Sequence, residues 1–226
     1  MVPSTAAVHD HLSPASRRNI PLVVIDRMVP GVNATSITTN DFESCDASVK
    51  EAVAKGHKNL SFLIATSTIE GFDSEKPVLR NTTIEDRVNG FMNGVIDTKV
   101  KKAQWIFCSE NPQTAEDAVN HLLDSKNPPS VIFTSNNDMA LAVLKVAGKR
   151  GLTLGQDISL VTVDDSQWLE AISPGITVVE RPVDEVARLA VEKLLEHINN
   201  KAKKPEKIVL PTRLISRGSV ANLKAK

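Results

Sequence analysis

An α/β fold built on mostly parallel sheets is the class this sequence predicts, and three observations carry it. Short apolar runs rich in β-branched residues alternate with stretches of helical period. The spacing of the runs suits successive strand–helix–strand units. Polar or charged residues follow nearly every run, at the rim where open α/β sheets bind ligands.

The elements follow in order. PLVVID (21–26), opened by Pro21, reads as a buried strand and TSITT (35–39) as a weaker one. Residues 41–55 read as a helix with Val49, Ala52 and Val53 on one face and Gly56 as its stop. LSFLIA (60–65) is a strand, and 66–81 reads as loop. Residues 83–97 place Ile84, Val88, Phe91 and Val95 on one helical face, although Gly90 and Gly94 interrupt it. QWIF (104–107) is a strand; 112–124 is a helix with Pro112 in its first turn. SVIFT (130–134), ISLVTV (158–163) and TVV (177–179) are strands, and 139–150 is a helix closed by Gly151. Residues 183–199 form the clearest amphipathic helix, and 207–216 end the chain in extended segments. The run Lys201–Lys204 reads as a solvated loop or tail.

Composition excludes several classes. Lys plus Arg and Asp plus Glu each number 27, a formal net charge of zero, whereas domains that grip phosphate backbones are usually basic. No apolar run has membrane-spanning length, and the start of the chain lacks a signal-peptide pattern, which predicts a cytoplasmic protein. Cys45 and Cys108 lie in unrelated segments and read as reduced thiols. Phosphate-loop, dinucleotide, nucleophile-elbow and zinc-protease motifs are all missing, so neither an enzyme nor a cofactor is predicted. His9, Asp10 and His11 read as a surface segment, with a metal site as the lesser reading.

At the strand ends stand Asp26 and Arg27, then Thr66, Ser67 and Thr68, then Ser109, Glu110 and Asn111. Asn136, Asn137 and Asp138 follow the next run, then Asp164 and Asp165, then Arg181. Each taken singly suits a helix cap or a solvated turn at least as well as a ligand. Asp164 and Asp165 say more, because adjacent like charges need compensation. Carboxylates, amides and an arginine on one rim would suit a polar, hydroxyl-rich small molecule.

Five blocks occur in a recognisable order: KGHKNLSFLIA (55–65), EDRVNGFMNG (85–94), FTSNNDMALAVLKVAGKRGLTLGQDISLVTVDD (133–165), SPGITVVERPVDEVARLA (173–190) and LPTRLISRGS (210–219). Together they resemble the effector-binding core of LacI/GalR-family bacterial transcription regulators, from about Ile20 to Ser219. The resemblance implies a periplasmic-binding-protein-like fold, two α/β subdomains around a cleft. It also implies effector contacts at Asp26, Thr83, Arg87, Asn136, Asp164 and Arg181, with Glu110 as a further candidate contact. A buried charge-assisted contact such as that of Arg87 contributes roughly 1.5–3 kcal/mol. Asn137 replaces an acid of the family motif, and Glu110 stands where many members carry an aromatic residue. Ser135, Asn137 and Asp138 are expected as turn and cap residues, with Asn136 in the cleft. A homodimer is implied, with Leu141, Trp168, Leu169 and Ile172 facing the partner.

The resemblance divides the chain into a partial N-terminal subdomain (1–39 and 181–206), a C-terminal subdomain (40–180 and 207–219) expected to be complete, and a tail (220–226). The helix-turn-helix domain of the family has no counterpart here, so the chain alone is expected not to bind DNA specifically, and a fragment or late start is the expectation. The alternatives are a solute-binding protein of a sugar transport system and an α/β enzyme. The LISRGS ending favours the regulator, and no nucleophile or base supports the enzyme.

Overall fold

The computed structural model describes residues 20–29, 31–67, 69–75, 77, 79, 81–199 and 204–224. The segment with His9, Asp10 and His11, Thr68 and Lys201–Lys203 lie outside them. The strands are β1 (Val23–Ile25), β2 (Thr35–Thr39), β3 (Asn59–Ala65), β4 (Phe72–Asp73), β5 (Lys102–Cys108), β6 (Val131–Thr134), β7 (Ser159–Val163), β8 (Thr177–Glu180), β9 (Lys207–Leu210) and β10 (Arg213–Ile215). The helices are α1 (Asp41–Ala54), α2 (Thr82–Thr98), α3 (Pro112–Leu123), α4 (Asn137–Lys149), α5 (Gln167–Ala171) and α6 (Val183–Asn199).

The strands form two sheets. The larger has the order β10-β8-β7-β6-β3-β5-β4, parallel except for β4 and β10 at its edges. The smaller is parallel, with the order β1-β2-β9. Alternating side chains of β3 divide the larger core. Leu63 and Ala65 pack with α3, α4 and α5, while Leu60, Phe62 and Ile64 pack with α1 and α2. Phe91 of α2 sits between Phe62 and Phe133, ring centroids 5.1 and 5.4 Å away.

The two glycines of α2 have a steric reason. A Cβ on Gly90 would lie 2.2 Å from the Phe42 carbonyl oxygen, and one on Gly94 would lie 2.7 Å from Val49 Cβ. They let α1 and α2 pack backbone to backbone.

Among the described residues the chain crosses between the sheets at three places: 40, 181–182 and 211–212. Two crossings are tied together, because Asn40 Oδ1 accepts from Thr212 N at 2.7 Å and from its hydroxyl at 2.9 Å. From the sequence, 207–210 are expected in the C-terminal subdomain, which corresponds to the larger unit. Instead β9 pairs with β2 in the smaller sheet, and the change of sheet falls after Leu210. The pairing is long-range, which local patterning cannot show. The expected tail is likewise built in: Val220 lies in the larger core, Ala221 N donates to Ser159 Oγ at 3.0 Å and Leu223 N to Lys55 O at 2.8 Å. Buried His57 holds the same stretch, its ring 2.9 Å from Ser130 Oγ and 3.1 Å from the Ala221 carbonyl.

Candidate effector-binding cleft

Two aspartates define the site through their backbones. Asp26, just after β1, has φ 70°, and Asp164, just after β7, has φ 72°. Left-handed conformations are uncommon outside glycine, with Asp and Asn the tolerated exceptions. The two occupy equivalent places: Asp26 N donates to Ile37 O of β2, and Asp164 N to Val179 O of β8. Each turn ends a strand and aims a carboxylate outward.

Both carboxylates meet one arginine. Arg181, on the second crossing, donates through Nη1 to Asp26 and through Nε to Asp164. It thereby joins an acid from each sheet. Burial works against its charge, but Asp164 and Asp26 outweigh that and hold the guanidinium above its ordinary value. Arg27 approaches Asp26 at 3.8 Å. The N-terminus of α2 closes on the same loop, where the Thr83 hydroxyl donates to the Asp26 carbonyl and Met28 N donates to Thr82 Oγ1 at 3.1 Å.

Arg87 lies behind this cluster, 4% exposed. Its Nη1 donates to the Ser135 carbonyl at 2.6 Å, and its Nε is 3.7 Å from Asp41 Oδ1. Asp41 is 2% exposed and was not foreseen from sequence. Burial pushes its carboxyl above the ordinary range, with Arg87 and Arg181 pulling it back. The one available signal was an acid in the first helical turn after β2, which reads as an ordinary favourable dipole contact.

The SNND cluster divides differently from its expected roles. Asn136 is the cap of α4, its side-chain oxygen accepting from Met139 N at 3.0 Å. Ser135 is fully buried and not a turn residue at the surface; its hydroxyl accepts from Ala65 N at 2.9 Å and ties β6 to β3. Asn137, in the first turn of α4, keeps a buried Oδ1 without a hydrogen-bond partner. Asp165 pairs instead with Arg217, which holds its two oxygens at 3.0 and 2.7 Å. Glu110 is exposed, and among the described residues no contact joins it to the cluster. The structure thus brings Asp26, Thr83, Arg87, Asp164 and Arg181 together, adds Asp41, and gives Asn136 a capping bond.

Of the expected partner-facing residues, Leu141 is 42% exposed, while Trp168 and Ile172 are part-buried against the larger core. Leu169 is not at the surface: it is fully buried, and its carbonyl accepts from Ile176 N at 2.8 Å. Trp168 lies on the short helix α5. Both cysteines are free and buried, and burial pushes each thiol up to about 12. Among the described residues no three metal-ligating side chains gather, and no helix is long and apolar enough to cross a membrane.

Among the described residues, two α/β units joined by three crossings thus meet at a cluster of charged and hydroxyl side chains. The chain belongs to the family of periplasmic binding protein-like domains, which matches residues 49–220. Among curated proteins it is 30% identical over 208 residues to "Probable HTH-type transcriptional repressor ExuR" of Bacillus subtilis (strain 168), covering 91% of this chain and 59% of that one. It is 29% identical over 208 residues to the HTH-type transcriptional repressor PurR of Escherichia coli O1:K1 / APEC, covering 91% and 58%. The chain therefore spans under two thirds of these relatives. Among solved structures, a LacI family transcriptional regulator from Enterococcus faecium with bound ribose superposes with a TM-score of 0.84 at 20% identity, covering 97% of this chain and 78% of that one. Another, from Enterococcus faecalis V583 and also with bound ribose, gives 0.77 at 23% identity, covering 92% and 72%.

Proposed function

We propose that this chain is the effector-sensing core of a bacterial LacI/GalR-type transcription regulator. A sugar or sugar-like molecule binds between the two sheets. The single observation that supports this reading best is Arg181, a side chain on a crossing that links Asp26 of one sheet to Asp164 of the other. A ligand that replaces those bonds acts on both units at once, which is what a sensor requires. The repressors among the relatives favour a regulator over a transport protein. The protein works in the cytoplasm as a homodimer, with Leu141, Trp168 and Ile172 toward the partner. It reaches DNA through a helix-turn-helix domain, the type that the curated repressors carry in their names.

Calorimetric titration with ribose is the test. Wild-type protein is expected to bind, and Arg87→Ala and Asp164→Ala are each expected to weaken binding at least tenfold. Unchanged affinity in both variants would sink the site assignment.

A further inference from the structure

Asp41 belongs to none of the sequence blocks quoted above, yet it stands closest to Arg87 in charge terms. Both are buried, and Nε and Oδ1 are 3.7 Å apart. That separation permits neutralisation but is too long for a hydrogen bond. Neither atom has a hydrogen-bond partner. Each side chain is restrained by its other end: Asp41 Oδ2 accepts from Thr39 Oγ1 at 3.0 Å, and Arg87 Nη1 holds the Ser135 carbonyl. One N–H donor therefore faces one carboxylate acceptor across a gap. A hydroxyl complements that pair, accepting from one and donating to the other.

The rest of the cleft has the same charge logic. Arg181 is answered by Asp26 and Asp164, and Arg27 approaches Asp26. A carboxylate or phosphate would meet guanidiniums whose charge is already balanced, beside carboxylates that repel it. Resting on the sensing reading above, we infer that Asp41 is a specificity-determining residue. It neutralises Arg87, so the cleft selects a ligand presenting an uncharged hydroxyl there over one presenting an anion.

The test titrates the full chain and its Asp41→Asn and Asp41→Ser variants with ribose, ribonate and ribose 5-phosphate, after circular dichroism melts establish folding. Wild-type protein is expected to prefer ribose over both anions by tenfold or more. Either folded variant is expected to shrink that margin at least tenfold. A margin unchanged in the folded variants overturns the inference while leaving the sensing reading intact, and so does a wild-type preference for an anion. Failure of wild-type protein to bind any of the three overturns the inference together with the ribose-type reading. An Asp41→Asn/Arg87→Gln double-mutant cycle in urea judges the pair itself without ligand: measurable coupling supports neutralisation, and strict additivity overturns it.

Discussion

Asp26 and Asp164 show how one residue type serves backbone and ligand together. Their left-handed φ values strain most side chains, and aspartate relieves that strain while supplying a carboxylate. Asp164→Asn keeps the backbone tolerance, whereas Asp164→Ala does not, so urea melts should find the alanine variant less stable than the asparagine variant by about 1 kcal/mol. The acids and Arg181 were legible because each directly follows an apolar run, and Arg87 because of the block around it. Asp41 was not, because a first-turn acid is ordinary and its partner lies on another helix. Asn136 stands out after its apolar run, but four polar residues in a row do not reveal which one caps the helix.

Among the elements, α2 carries the sharpest contrast. Its glycines weakened the helical pattern in sequence, yet they are what its packing requires. Gly90→Ala would push a methyl into the Phe42 carbonyl, and overpacking of that kind costs roughly 1–3 kcal/mol. Gly148, late in α4, has nothing within 4 Å of an added Cβ, so Gly148→Ala should stabilise by up to about 1 kcal/mol through helix propensity. Opposite signs in paired denaturant melts would check both. Helices and long strands were readable from periodicity. The two-residue β4, the sheet membership of β9 and the burial of Leu169 depend on distant partners, which periodicity does not encode.

At the scale of the whole molecule, two measurements address assembly and stability. Leu141→Glu is expected to shift a dimer toward monomer in sedimentation velocity, given a partly exposed leucine on α4. The fastening of the C-terminal stretch should be acid-sensitive. Burial, more than the nearby Lys55, lowers the His57 value below its ordinary 6.5, against the opposing Ala221 carbonyl. The unfolded chain then binds the proton more readily, so this contribution is full above about pH 6.5 and is lost as pH falls through the lowered value. Thermal melts from pH 7.5 to 5 should fall less steeply for His57→Gln than for wild-type protein.

The placement of Arg181 has a mechanical consequence. It stands on one of the crossings between the two sheets, and it is also the side chain that bonds an acid from each. A change in its pairing therefore reaches both units without any intermediate linkage. Arg181→Lys would retain the charge but lose the two-pronged hold. Its signature should be a wider spread of distances between the two units in spin-label measurements, with the thermal melt of the protein unchanged.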